Sequence, residues 1–515
     1  MKKVSNSFFN DYQDMLIKND KLSEENRKLS YLNNLLNMRI NTLEKNEDKN
    51  NEIIKAFEEK LKEQENEIAR LKSQLNADGT THGIPTSQTP INKKKIIPNS
   101  REKSNCKIGG QVGHKKNKLE KFDDSEITEI VEHKVECCPH CHSTSIEKTE
   151  KVNEKDELDY KIVVIKRRHK FNEYKCTECG KEFHAPIANT LKEENQYGPN
   201  VKTLGLTLMN QANVTINKVQ KIIYGMTNGE INLSEGYIAK LQKTQAKKLE
   251  QFENDVKNKL INESLLHWDD TVIMVNAKRS CMRYYGTDKV TLYKAHEHKN
   301  KEGLDEDGIL KTLSSKTVVV HDHNKVNYND DYIFRNAECN VHLIRDLKKV
   351  EENLNHKWAK KLSELIKKMD HKRKWLIKKG KEEFEQETIN KFEDKFNDIV
   401  LEADKENKQD TGKYYADTES TLLLRILDYK SEYFLWIYDF DIPFDNNQSE
   451  RGLRGIKSKQ KASGQFWNIE SAQNYAKIKT YIETCNKNNV NIYNALLMLS
   501  IGKPYSLENI LNGEV

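Results

Sequence analysis

Apolar residues return every three to four positions over residues 9–77 on one unbroken heptad frame. The d positions carry Met15, Leu22, Leu29, Leu36, Leu43, Phe57 and Leu71, and the a positions include Ile40, Ile54, Leu61 and Ile68. Lys, Glu and Asn fill the spaces between. Such a seam predicts a coiled coil, a leucine zipper, that buries its stripe against another copy of the chain. Asn19, Asn26 and Asn33 at successive a positions favour a fixed register, most often a dimer, and Glu47 and Asn50 weaken the seam midway. The competing reading is a surface helix folded back on its own domain.

The period is lost at residue 78. Residues 78–121 hold Gly79, Gly83, Pro85, Pro90 and Pro98 among Ser, Thr and Lys, the composition of a linker. Residues 122–185 form a small cysteine-bearing module. Helical spacing resumes over 198–250, with a turn near Thr227–Asn232 and Ser234 placed to cap a second helix, so a helix-turn-helix-like DNA-binding region is expected there. Over 264–345 the period drops to two. LLHWDDTVIMVN, SCMRYYGT and KVTLYKAH read as antiparallel strands, and the short helical DEDGILKTL leads to a further strand, TVVVHD. Residues 346–412 are charged and helical, an expected insertion. STLLLRILDYKSEYFLWIYD reads as the resumption of the core, and helices close the chain over 469–515. The fold class is multidomain, α+β/α/β.

Composition changes this picture in two ways. Charged residues make up 32% of 515 and apolar ones 36%, which suits long solvated helices beside a modest core. Net charge is only +6, yet ten Lys or Arg between Lys93 and Lys121 face only Glu102 and Glu120. That block is a solvated tract or a nucleic-acid contact, with Lys93, Lys94 and Lys95 as candidates. No apolar run is long enough to span a bilayer and no secretory signal pattern opens the chain, so a cytoplasmic protein with no membrane partner is expected. Its nine cysteines are then expected to be reduced.

Two constellations carry chemistry. Cys138-Pro-His-Cys141 and Cys176-Thr-Glu-Cys179 are two knuckles with the spacing of a structural Zn²⁺ site, a zinc ribbon, flanking strand-like LDYKIVVIKRRHKFNEYK. Cys137, His140 and His142 are substitute ligands, and Arg167, Arg168, His169 and Lys170 cluster at the expected hairpin turn. The second constellation is acidic. Asp269 and Asp322 each sit at or near the end of a β-branched run, where Asp is depleted. Glu450 lies on an expected helix with Arg454, Lys457 and Lys461 along the same stripe and Arg451 beside it. Carboxylates suit Mg²⁺, and the cations suit a polyanion. Trp268 and Trp436 read as core. Trp467 follows the basic helix, where it is either core or a stacking residue.

GGQVGHK (109–115), the two CxxC pairs, QYGPNVKTL (196–204), NLSEGYIAKL (232–241), DDT (269–271), CNVHLIRDL (339–347) and DNNQSERGLRGIKSKQKASGQF (445–466) occur in an order that resembles the insertion-sequence 66 family of transposases. The resemblance covers nearly the whole chain, and its last block is the most specific. It implies a ribonuclease-H-like DDE catalytic core over 264–468, interrupted by the helical insertion, with Asp269, Asp322 and Glu450 as catalytic residues holding two Mg²⁺. The family usually reads Asp-Glu-Thr at 269–271, so Asp270 stays open as the alternative first ligand. The implied activity is cleavage at the terminal inverted repeats of a transposon and joining of its 3′ ends to target DNA. Arg451, Arg454, Lys457 and Lys461 would then bind DNA. Small accessory proteins of the same element are implied partners. The alternative is a non-catalytic zinc-ribbon DNA-binding protein derived from a transposase.

Overall fold

The computed structural model describes residues 3–76, 113, 119–188, 191, 193–409 and 416–515. They divide into two compact units, one of residues 95–339 with 445–515, the other of the N-terminal segment with 340–444.

Helix α1 runs unbroken over Lys3–Asn76, about 110 Å at the α-helical rise. Its a and d side chains, from Tyr12 to Leu71, are exposed. The basic tract that contains Lys93, Lys94 and Lys95 lies outside the described residues.

In the cysteine module, β1 (Glu173–Lys175) and β2 (Glu182–His184) pair antiparallel around the second CxxC. Of LDYKIVVIKRRHKFNEYK, expected to be strand-like, only the last three residues form a strand, β1; none is formed over 158–172. Leu158, Tyr160, Val163 and Ile165 are exposed there. Alternating residues make a strand only against a partner edge and a core, and so small a module supplies neither.

Four helices follow: α2 (Pro199–Leu206), α3 (Ile216–Met226), α4 (Glu235–Lys247) and α5 (Glu250–Ile261). A π turn, Thr207–Gln211, separates the first two. Ser234 caps α4 as its position predicted, its Oγ accepting from the Tyr237 amide at 3.1 Å. Asn228 and Gly229 make the preceding turn at φ 49° and 83°.

The central sheet is mixed. β3 (Leu265–Val275), β4 (Lys278–Gly286) and β5 (Thr291–His296) form an antiparallel meander. After α6 (Lys301–Asp307), β6 (Val318–His321) joins β3 in parallel and β7 (Arg335–Glu338) extends the sheet. The strand order is β5-β4-β3-β6-β7. Asn276 and Ala277, at φ 45° and 59°, make the two-residue β3–β4 turn whose twist matches the strands.

Residues 340–444 are helical: α7 (Asn340–Leu354), α8 (Lys357–Lys378), α9 (Gln386–Gln409), α10 (Ala416–Asp428) and α11 (Lys430–Tyr438). The aromatic core of this unit includes Phe434, whose ring meets Phe392 at 5.2 Å and Phe396 at 5.5 Å. The segment read as a resumption of the sheet core therefore belongs to the helical insertion, which is longer than 346–412. An apolar helix shows in its sequence that it is buried, but not against which core.

The chain returns through α12 (Asn447–Ser463), α13 (Ile469–Lys487), α14 (Ile492–Ser500) and α15 (Leu507–Asn512). Strand alternation gives the sheet two faces. Ile273, Val275, Met282, Tyr284, Tyr293 and Ala295 pack against Leu453 and Ile456 of α12 and Tyr475 of α13. Leu266, Trp268, Tyr285 and Leu292 lie on the opposite face, in a core with Leu304 and Ile309.

Candidate active site

The position of α12 is set by one buried residue that the sequence reading passed over. Asn446 is completely buried. Its Nδ2 donates to the Trp268 carbonyl at 2.9 Å, and its Oδ1 lies 3.0 Å from His267 Nδ1. Its backbone amide points at Cys339 Sγ at 3.3 Å. Burial pushes the His267 pKa down, with the Asn446 bond opposing, so the imidazole is held neutral. Asn446 thus pins the start of α12 to the residue that precedes Asp269. Glu450 follows one helical turn later. The signal was present in the motif DNNQSE, but a buried Asn is indistinguishable from a surface one until its partners are known.

Register separates the two adjacent aspartates. Asp269 pairs with Tyr284, whose ring packs on the α12 side, and Asp270 pairs with Arg283. Arg283 is buried on the other face, bound to Asp307 at 3.0 Å. Asp270 is ion-paired to Lys299 at 2.6 Å. Asp269 is therefore the one that shares a face with Glu450.

Asp322 follows β6 directly, and β6 pairs with β3 only over Leu265–His267. From Trp268 onward the edge of β3 is open towards the end of β6, and both Asp269 and Asp322 lie along that opening. A carboxylate oxygen of Asp322 lies within 4.8 Å of Cys339 Sγ. Behind it Glu338, on β7, is buried. It accepts from Tyr328 Oη and bonds His323 Nδ1 at 2.8 Å. His321 Nε2 lies 2.7 Å from Asn336 Oδ1. These residues were missed as well, since a strand reading Arg-Asn-Ala-Glu has no apolar signature.

Among the described residues, Asp269, Asp322 and Glu450 do not form a cluster with all ligand atoms within 4.8 Å of one another. The donor set, all hard carboxylate oxygen, fits Mg²⁺.

The basic stripe divides. Arg454 Nη2 is 3.9 Å from a Glu450 oxygen and largely exposed. Such a pair stabilises little and leaves the guanidinium open to a phosphate. Lys457 is exposed, yet desolvation of its ammonium lowers its pKa, and Asp269 opposes that shift. Lys461 is exposed further along. Arg451 instead faces the flank of α12 towards α13. It lines a cavity of about 280 Å³ with Tyr284, Asp288, Gln448, Glu483 and Lys487. Gly452 makes the close approach possible, since a Cβ there would meet Tyr284 Cε2 at 2.4 Å. His342, singled out with CNVHLIRDL, sits on α7 with its Nε2 3.3 Å from Arg345 Nη1.

The four knuckle cysteines carry free thiols. Both knuckles have one geometry. Cys138 and Cys176 accept, at their carbonyls, the amides of His142 and Gly180, each at 2.9 Å. Those two residues are left-handed, at φ 57° and 70°. Backbone amides of His140 and then Cys141 lower the Cys138 pKa, and those of Cys179 and then Glu178 lower that of Cys176. Amides aimed at sulfur favour the thiolate, the form that binds metal. The knuckles are formed, but three of the four thiols are not gathered within 4.8 Å.

No helix among the described residues is long and apolar enough to cross a membrane. Residues 195–474 match the sequence model of the family described as Transposase IS66 family. No curated protein matches the chain.

Proposed function

Because the chain belongs to the IS66 family of transposases, we propose that Asp269, Asp322 and Glu450 form a DDE centre on a ribonuclease-H-like core. This centre cleaves phosphodiester bonds at the terminal inverted repeats of its element and joins the freed 3′ ends to target DNA. The observation that carries the reading is the convergence at β3. Asn446, bonded to the Trp268 carbonyl, sets Glu450 on the face of the sheet that Asp269 occupies, and Asp322 ends the neighbouring strand.

Asp269, Asp322 and Glu450 would hold two Mg²⁺, which supply charge neutralisation at the phosphoryl group and at the attacking and leaving oxygens. The protein's own part is placement. Arg454 and Lys457 draw the DNA backbone along α12 to the carboxylates, with Lys461 extending the track. Asp270, engaged with Lys299 on the far face, steadies β3 and takes no ligand role. Arg451, in its cavity, contacts DNA outside this track. The two knuckles, Cys138/Cys141 and Cys176/Cys179, close on one structural Zn²⁺ when metal is supplied. The N-terminal helix pairs with a second copy, and Lys93, Lys94 and Lys95 add sequence-independent attraction.

The test is cleavage and strand transfer on the element's own ends with Mg²⁺. Asp269→Asn, Asp322→Asn and Glu450→Gln are near-isosteric and should keep end binding while abolishing both reactions. Asp270→Asn should retain them. Full activity in Glu450→Gln overturns the triad. Activity lost in Asp270→Asn but kept in Asp269→Asn moves the first ligand by one residue. A wild-type chain that binds ends and never cuts them is the non-catalytic alternative.

A further inference from the structure

Trp467 is 84% exposed, although the residues on either side of it are hydrogen-bonded into the fold. The preceding residue, Phe466, donates its amide to the Met274 carbonyl at 2.9 Å and accepts from the Asn276 amide at 3.0 Å. It forms a parallel bridge to Val275, and its buried ring packs on Tyr475 at 5.6 Å. Gln465 Oε1 accepts from the Ala277 amide at 2.7 Å. The following residue, Asn468, caps α13, its Oδ1 accepting from the Ser471 amide at 2.8 Å. A strap therefore fixes residues 465–468 to the β3–β4 turn and holds the indole in solvent. A large aromatic is thereby kept out of the core on a fixed backbone.

The segments that adjoin it are cationic. Lys278 and Arg279, exposed, leave the same turn, in register with Val275 and Met274. Lys461 is exposed on the last turn of α12. Glu470, the nearest acid along the chain, is ion-paired to Lys243 at 2.7 Å. Lys457 and Lys461 lead along α12 from the carboxylates to this indole. An exposed indole with Lys and Arg on the adjoining segments is the chemistry that binds an unpaired base, by stacking on the ring and ion-pairing at the backbone.

We propose that Trp467 is a stacking platform for an unpaired nucleobase in the DNA strand that runs from the acidic centre along α12. The eleven steps of chain from Glu450 to Lys461 span about 16 Å of helix. At roughly 3.4 Å per nucleotide of one strand, the stacked base lies roughly five to seven nucleotides from the reacting phosphate. This inference rests on the reading of the chain as a DNA-cleaving transposase.

The experiment uses the full chain and two probes: a mixed-sequence duplex with a single-stranded 3′ tail, and the same duplex blunt. Trp467→Ala, at an exposed site, should fold as wild type. It should bind the tailed probe roughly 5- to 150-fold more weakly while binding the blunt one unchanged. Trp467→Phe should recover most of the loss. With 5-iodouracil moved along the tail, photocrosslinking to the tryptic peptide Ala462–Lys477 should peak at one or two positions roughly five to seven nucleotides from the 3′ end. Equal weakening on both probes, or crosslinks confined to other peptides, overturns the proposal. So does an unchanged DNA affinity with a changed number of chains per particle, which would make Trp467 a protein contact. If the wild type binds neither probe, the transposase reading fails with it; if wild type binds both and Trp467→Ala is indistinguishable, only the stacking role fails.

Discussion

Gly452→Ala is the substitution that most sharply tests how α12 presents Glu450. In an exposed helix interior, replacing Gly by Ala stabilises by about 1 kcal/mol. Here the new methyl would stand 2.4 Å from Tyr284 Cε2 and 2.6 Å from Cδ2, where ordinary contact begins near 3.4 Å. Tyr284 is held by its neighbours. It is 1% exposed, its ring meets Tyr293 edge-on at 5.6 Å, and Lys487 donates to its hydroxyl at 3.1 Å. The relief must come from α12 moving off β4 by about 1 Å. Overpacking of this kind costs about 1–3 kcal/mol, which exceeds or cancels the helix gain. The larger effect is catalytic. Glu450 sits half a turn before Gly452, and a displacement of about 1 Å at a reacting centre lowers rate on the order of 100-fold. Urea unfolding and Mg²⁺-dependent end cleavage measure the two effects separately. The double variant Gly452→Ala, Tyr284→Leu should recover rate relative to Gly452→Ala alone, because the clashing ring is gone. A Gly452→Ala protein stabilised by the full helix increment and cleaving at the wild-type rate would refute the reasoning.

Three further outcomes follow from other parts of the molecule. Purified protein should carry about one Zn²⁺ per chain, and chelation should unfold residues 122–185 locally; a metal-free protein with an unchanged near-ultraviolet spectrum contradicts the zinc assignment. Removing residues 1–77 should lower the number of chains per particle in light scattering and weaken binding to paired ends, and an unchanged particle means the seam is not the oligomer contact. Burial pushes Lys459 and Lys487 down from 10.5 to about 8. The unfolded chain therefore binds more protons between about pH 8 and 10.5, and stability should rise with pH across that window. Lys459→Met should flatten the rise in urea midpoint, and parallel profiles for variant and wild type would remove Lys459 as its source.

The strands of the sheet were legible because β-branched runs with period two have few other uses. β3, β4, β5 and β6 fall where LLHWDDTVIMV, KRSCMRYYG, TLYKAH and VVVH stand. β7 was not legible: Arg335, Asn336 and Glu338 look like a loop, and Glu338 is buried only because His323 and Tyr328 satisfy it. The acidic residues could be picked out one by one, but the face that Asp269 shares with α12 could not, since it depends on register and on Asn446. The strand expected over 158–175 formed only at Glu173–Lys175, and the rest failed for the opposite reason. Its alternation is real, but a β pattern without a partner edge has nothing to pair with.

Cys339 and Asn446 meet at 3.3 Å, and one residue on from Cys339 and two back from Asn446 the Asn340 amide donates to the Phe444 carbonyl at 3.1 Å. The chain thus leaves for the helical insertion and returns from it at the same spot, as a stem leaves and rejoins a trunk. Whatever is grafted between these points closes its loop on an existing joint, and added length there costs only slowly growing closure entropy. Evolution can therefore lengthen, trim or replace residues 340–444 without reopening the β3–β6 cleft, and related chains should vary most in length between these two clamped positions.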